Sequence, residues 1–398
     1  MAFHERDTAV TEDTVTLQAT DGKSSFAARI WFLLAICLGL GLSHLSTSTM
    51  PLEVGALMDA THRSAAQAGY FGFCQVGALA LGMIMLAGWV DRMSPWKIAI
   101  GGCLLIVLAD VGLYMGGTFP SQLALGVVSG FGYGAVYSAV VAAAAATREP
   151  DRMYAIGNGG ALMVIVSLMS VFPSAQRTEG QLGLFLIIAA VAFIAAPLMS
   201  VLRRGAHGEH LRITAWRTPG APGLLIAWAT FSAGTGGLYA FAERIGVHIG
   251  LPSNAIAWVL SAGVFTGLIG TTATAVLGSR VNRPAALLAG ILGSALSCLM
   301  VGFAWSLESY AAGVFAYWIC TMFSYSYLLG TAARLDRTGR VGTLGSGCER
   351  FGFASGTAVA GLLAEHWSYS MTGVFGFATC ALGMSAGFPT LFRELQHR

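Results

Sequence analysis

The feature that most constrains this chain is a succession of twelve apolar stretches. They fall near 28–58, 64–90, 96–117, 121–146, 153–175, 182–202, 221–250, 254–279, 285–305, 309–333, 340–365 and 370–392. A helix needs about 20 apolar residues to cross the hydrocarbon of a bilayer, and each stretch meets that length. Composition agrees: 55% of the residues are hydrophobic and only 10% charged, against roughly 25% charged in an ordinary soluble domain. So few charges cannot clothe a soluble protein of 398 residues. The expected class is an all-α polytopic membrane protein with twelve transmembrane helices.

The connections between stretches are short except for 203–220, which separates helices 1 to 6 from helices 7 to 12. The expected organisation is a tail over 1–27, a six-helix half over 28–202, a central loop over 203–220 and a second six-helix half over 221–398. The tail carries Glu5, Asp7, Glu12, Asp13 and Asp21 and no apolar core, which fits a disordered cytoplasmic segment rather than a targeting signal. Loops rich in Lys and Arg stay cytoplasmic. Of the 22 basic residues, 18 fall on the side of the N-terminus, Arg63 and Arg177 on the other, and Arg244 and Arg350 within spans. That division predicts both termini in the cytoplasm, in a multi-pass protein of a bacterial inner membrane.

Two internal repeats tie the halves together. The turn containing Ala87, Asp91 and Arg92 returns 191 positions later as Gly278, Asn282 and Arg283. Arg152, Gly157, Asn158 and Gly159 entering helix 5 return at an offset of 188 as Arg340, Gly345, Ser346 and Gly347 entering helix 11. Such repetition indicates two structurally equivalent halves. The first turn resembles the loop signature of the major facilitator superfamily, roughly Gly-x-x-x-Asp-Arg-x-Gly-Arg-Arg/Lys. Asp91 and Arg92 match outright, Ala87 and Ser94 stand for the glycines, and Pro95, Trp96 and Lys97 follow the basic end loosely. The resemblance covers nearly the whole chain. It implies the major facilitator fold of two pseudo-equivalent six-helix halves, with helices 1, 4, 7 and 10 lining a central cavity, helix 2 facing helix 11 and helix 3 a scaffold. It also implies a cytoplasmic latch built from Asp91, Arg92, Asn282, Arg283 and Arg340, with Arg340 the leading partner of Asp91.

Charges inside spans are rare enough to single out. Glu349 and Arg350 lie about ten positions into helix 11, roughly 15 Å along it and near the middle of a core about 30 Å thick. Two readings are open: each is neutralised by a fixed partner, or the pair serves transport. Adjacent helical residues point about 100° apart, so the two are not expected simply to pair with each other. In the transport reading Glu349 carries a coupling proton and Arg350 tunes it or binds an anionic group, with Gln75 on helix 2 as a polar neighbour; Asp110 and His44 are the other proton candidates. Tyr133, Tyr137, Thr235, Tyr239 and Tyr325, joined by Asn158, combine apolar area with hydrogen-bonding groups and are the expected substrate contacts. Glu53 and Arg244 align under the 191 offset and, with Glu243, form either an outer gate or solvated interfacial charges. Gly234, Gly236 and Gly237 weaken the middle of helix 7, a place to bend. Glycines at four-residue spacing, 126, 130 and 134 in helix 4 and 352 and 356 in helix 11, predict close helix packing.

No nucleotide loop, dinucleotide fingerprint, zinc-protease motif or nucleophile elbow is present, so neither ATP-driven transport nor standard hydrolase chemistry has its residues. The seven Cys lie in apolar runs without metal spacing, and His207, Glu209 and His210 in the central loop read as solvated. The expectation is therefore not an enzyme but a cofactor-free, monomeric secondary transporter, whose partners are a small organic solute, protons and the lipid bilayer, with no nucleic acid. Proton-coupled efflux of a moderately apolar compound is the leading function. Uptake of an organic anion such as a carboxylate, bound at Arg350, is the alternative; a non-transporting receptor or scaffold is the reading from another class.

Overall fold

A computed structural model describes residues 22–87, 93–145, 147, 150–202, 216–277, 280–336 and 340–396. Asp91, Arg92, His207, Glu209 and His210 lie outside these residues, as do the segments 1–21 and 203–215 of the expected tail and central loop; Arg340 begins a helix, but its side chain is outside the description. The described chain forms fourteen α-helices: α1 Gly22–Ser48, α2 Met50–Thr61, α3 Ala65–Ala87, α4 Pro95–Tyr114, α5 Phe119–Ala145, α6 Pro150–Glu179, α7 Gly183–Leu198, α8 Ala221–Ala240, α9 Ala242–His248, α10 Ser253–Leu277, α11 Arg283–Gly302, α12 Leu307–Leu335, α13 Arg340–His366 and α14 Ser370–Gln396. These are the twelve expected stretches, with the first and the seventh each divided in two. Nine are long and apolar enough to cross a membrane, and α8 with α9 makes a tenth span bent by 40°. The helix carrying Glu349 and Arg350, α13, is long enough but too polar to be among them.

The two divided helices break at equivalent places, Thr49 and Phe241, within one residue of the 191-residue offset. At the first break Pro51 has no N–H to give, and the N–H groups of Leu52 and Glu53 both turn to the Thr49 carbonyl. The Ser48 carbonyl, which loses its helical donor, accepts instead from the Tyr239 hydroxyl at 3.0 Å. At the second break the Ala242 carbonyl accepts from Tyr310 at 2.9 Å, and about two turns earlier the Thr235 carbonyl accepts from Tyr317 at 3.1 Å. Buried backbone groups need such partners, and three buried tyrosines supply them. The bend in the seventh span is not at Gly234, Gly236 and Gly237, as expected. Those glycines are filled by neighbours: a Cβ on Gly237 would sit 2.7 Å from the Gly356 carbonyl and one on Gly236 2.6 Å from the Phe353 ring. Backbone freedom is used there for packing, and the chain bends beyond it.

Small residues hold the remaining crossings together, as their spacing predicts. Gly130 and Gly134 of α5 lie against the carbonyls of Gln75 and Leu79 on α3, and Gly352 and Gly356 of α13 against those of Ala229 and Ala233 on α8. Gly270 of α10 meets the Ile319 carbonyl of α12 in the same way, so α3 with α5 and α10 with α12 are matching crossings in the two halves. The halves meet along α3 with α13 and along α6 with α10.

Because the Gly356 site holds no room for a methyl group, Gly356→Ala should destabilise the folded protein by about 1–3 kcal/mol through overpacking. Nothing lies within 4 Å of a Cβ at Gly101, so Gly101→Ala should instead stabilise by about 0.5–1 kcal/mol, the helix-propensity gain. Thermal unfolding of the purified protein in detergent measures both, and a loss of equal size at the two positions would refute the packing argument.

Candidate functional site

The centre of the molecule is a junction of charged and aromatic side chains drawn from both halves. Arg350 of α13 donates through one terminal nitrogen to the Thr47 hydroxyl and through the other to His44 Nδ1, both at 2.9 Å. Both acceptors sit on α1, so this guanidinium ties one half to the other. Glu349 approaches the same guanidinium at 3.7 Å, too long for a hydrogen bond but a real ion pair. The adjacent residues therefore do associate, against the expectation from helical geometry.

A guanidinium has donors and no acceptor, so the nitrogen it meets on His44 must carry a lone pair. His44 is therefore neutral in this contact, with its proton on Nε2, on which side Asn158 of α6 is within hydrogen-bonding reach. A proton added to His44 would place two cationic donors face to face. Tyr137 of α5 presents its ring edge-on to His44, 6.0 Å between centroids, and lies within electrostatic reach of both Glu349 and Arg350. Tyr325 of α12, in the same half as Glu349, lies within its electrostatic reach and meets Trp228 of α8 edge-on at 5.7 Å. Helices 1, 4, 7 and 10 of the sequence count thus each send one aromatic ring to the centre: His44, Tyr137, Trp228 and Tyr325. Glu349 and Arg350 keep 15% and 9% of their side chains exposed, and His44, Tyr137 and Tyr325 are half-buried, so the junction is not sealed.

Several expected members lie elsewhere. Tyr133 is fully buried and donates to Asp110 across the α4–α5 crossing at 3.4 Å. Tyr239 is spent on the Ser48 carbonyl and stacks on Tyr317. Thr235 returns its hydroxyl to the Phe231 carbonyl. Gln75 is not a neighbour of Glu349: its amide donates to Glu53 at 2.9 Å and to Ser129 at 3.4 Å. Asn282 caps α11 by accepting from the Ala285 amide, and Arg283 is half-buried beside it. Trp228 was not anticipated, since one indole in an apolar run carries no sequence signal.

On the far side of the bundle, where α2 and α9 end, Arg244 grips Asp59 of the other half at 2.6 and 2.9 Å, a bidentate pair, while also bonding Glu243. Glu243 and Arg244 are buried rather than solvated. Glu53 is not part of this clamp, despite its alignment with Arg244: it points into its own half, and Asp59, two turns along, takes the role. Nearby, Glu365 accepts from the Ala66 amide at 2.8 Å and Thr357 donates to the Gly69 carbonyl at 3.3 Å. The seam loosens toward the near side, where α1 begins. A Cβ on Gly69 would stand 3.1 Å from the Gly361 Cα, whereas one on Gly77 reaches only Ala354 at 4.0 Å and one on Gly347 only Ile84 at 3.8 Å.

Residues 32–335 match the sequence profile of the Major Facilitator Superfamily. The chain belongs to that superfamily. As a major facilitator protein it is a multi-pass membrane transporter and not an enzyme. Among solved structures it resembles the nucleoside transporter NupG, crystallised as a mutant, with a TM-score of 0.77 at 11% identity over 90% of this chain and 99% of that one. It also resembles a bacterial homologue of the human lysosomal transporter Spinster, in an inward-facing and unoccupied conformation, with a TM-score of 0.69 at 16% identity over 92% and 98%. At these identities the likeness concerns the major facilitator fold. No curated protein matches the chain significantly.

The far-side clamp generates a prediction. Asp59→Asn removes the charge that Arg244 grips while keeping the shape. Because Asp59 is partly exposed, the loss should be about 1 kcal/mol, roughly a fivefold gain in far-side opening. Hydrogen exchange of the α2 and α9 amides should quicken accordingly, and unchanged exchange would show that the clamp does not hold this side shut.

Proposed function

We propose that this transporter is proton-coupled and exports a moderately apolar organic solute by alternating access, with Glu349, Arg350 and His44 as the proton-responsive centre. One observation carries the reading: the only guanidinium described at the centre binds a neutral imidazole and a hydroxyl of the opposite half while a carboxylate waits 3.7 Å away. A proton on His44 turns its acceptor nitrogen into a donor and breaks the bond to Arg350. A proton on Glu349 removes the charge that holds the guanidinium back. Either event alters the tie between the halves at the level where they must rock apart. Arg350, once freed from α1, exchanges a protein partner for another, so protonation and solute occupancy are linked through one side chain.

The half-buried rings of Tyr137 and Tyr325 offer the solute flat apolar surface, with the fully buried Trp228 backing Tyr325, and Asn158 and Ser346 offer polar contacts. Positively charged loops favour the near side as cytoplasmic; in that orientation the clamped side faces out and the looser seam faces the cytoplasm, which suits capture of a solute from the cell. The expected latch of Asp91 and Arg92 with Arg340, flanked by Asn282 and Arg283, would then close the cytoplasmic side in the opposite state.

Glu349→Gln keeps the shape but cannot titrate. In proteoliposomes it should abolish uphill movement driven by a pH gradient while leaving solute binding and solute exchange in place. Uphill transport with a normal pH dependence in this variant would show Glu349 to be structural, and would pass the coupling role to His44.

A further inference from the structure

A second group of buried acids stands apart from the Arg350 centre. Glu53 of α2 and Asp110 of α4 are both fully buried within the first half, and among the described residues no Arg, Lys or His bonds or pairs with either. Glu53 Oε1 accepts from the Thr49 hydroxyl at 2.6 Å, and its Oε2 accepts from Gln75 Nε2 at 2.9 Å. Asp110 Oδ2 accepts from the Tyr133 hydroxyl at 3.4 Å. The two acids are linked through α5, where Ser129 takes the other bond of the Gln75 amide and Tyr133, one turn on, bonds Asp110; Tyr133 is in electrostatic reach of both acids. The groups facing them from the packed elements are Gln75 of α3 and Ser129 and Tyr133 of α5, none of them cationic. The walls are apolar, with Phe71, Val76 and Ile106 fully buried.

Two acids in such a place are not both charged unless a cation accompanies them, because an isolated carboxylate in low dielectric is too costly. The hydrogen bonds present are too few to replace that cation. Two oxygens in the group have no hydrogen-bond partner among the described residues, Gln75 Oε1 and Asp110 Oδ1, although both residues are fully buried. Buried acceptors left open in this way point to something unseen that they hold. The available atoms are oxygens only: two carboxylates, an amide carbonyl and the hydroxyls of Thr49, Ser129 and Tyr133. That set suits a hard monovalent ion or a proton. Among the described residues no three His, Cys, Asp or Glu gather in one place.

We propose that Glu53 and Asp110, with Gln75 and the neighbouring hydroxyls, form a monovalent-cation site inside the first half, separate from the central junction and occupied by Na+ or by a proton. Its position gives it a mechanical role. Glu53 lies on α2, the short helix that also carries Asp59 into the far-side clamp and Gly55 against Glu243. A cation that anchors Glu53 therefore anchors the piece of chain on which the clamp is mounted.

Cation binding can be measured without transport, so its failure and the failure of the central proton reading are separable. A carbodiimide, which adds across protonated carboxyls in apolar surroundings, should label Glu53 or Asp110 in the wild-type protein, as mapped by mass spectrometry. If Na+ is the ligand, NaCl should suppress this labelling where choline chloride at the same ionic strength does not. If a proton is the ligand, only raising the pH should suppress it. In parallel, an upward shift of Tm with the cation so identified is expected for the wild type, and Glu53→Gln and Asp110→Asn should each abolish that shift or raise the concentration giving half of it by about tenfold or more. Absence of label at both acids under all these conditions, or a cation dependence of Tm identical in wild type and both variants, would overturn the site. The wild-type labelling stands on its own should either variant fail to fold.

Discussion

A positive charge held near the centre of a membrane-spanning bundle is the constraint around which the rest of this transporter is arranged. Arg350 cannot lose its proton at any relevant pH, so the bundle must give it acceptors. Only one of them, Glu349, comes from its own half, and that contact is loose at 3.7 Å. The two short bonds go to Thr47 and His44 across the interface. The stability of one half's charge is thereby made to depend on the position of the other half.

The first and seventh spans show a related economy. Each is divided near its far third, and a divided helix in hydrocarbon exposes carbonyls that have lost their donors. Tyr239 closes the opening at Ser48 from across the interface, while Tyr310 and Tyr317 donate to the Ala242 and Thr235 carbonyls on either side of the second break. The pieces beyond the breaks, α2 and α9, are the ones that carry Asp59 and Arg244. A short segment joined by a break can tilt without dragging the whole span, so the clamp sits on the parts of the two helices best able to move.

Much of this was legible in the sequence, and the rest was hidden for identifiable reasons. Hydropathy gave the number and order of the stretches, because apolar length is a local property, and the glycine spacing located the close crossings on α5 and α13. Glu349, Arg350 and His44 stood out because charge and imidazole are rare inside spans. Partner identity was a different matter. Helical phase alone suggested that Glu349 and Arg350 would not meet, yet the two do associate. Alignment by offset matched Glu53 with Arg244, but Asp59 makes the bond, since the two halves are only approximately equivalent and a carboxylate near a helix end looks like any solvated acid. Tyr133 and Tyr239 looked like ligand contacts because the carboxylate and the carbonyl that claim them belong to other helices, and no single-sequence signal shows a carbonyl released by a distant break; Thr235 instead returns its hydroxyl to its own helix.

The seam between the halves explains how such a molecule can move at all. A tight, glycine-lined interface along its whole length would be rigid, and a loose one would not hold the centre together. Here the packing grades from close contact at Gly69 and Gly361 to bare contact at Gly77 and Gly347. Among the described residues, the directional bonds of Asp59 with Arg244, Ala66 with Glu365, Gly69 with Thr357 and Arg350 with His44 lie from the centre toward the tight end. Dispersion falls away within an ångström of optimal contact, so opening the tight end sacrifices packing and ion pairing together, whereas the loose end has little to lose. The opposite state would then draw on contacts made on the near side, and in the proposed mechanism a proton on His44 removes its bond to Arg350 at the centre.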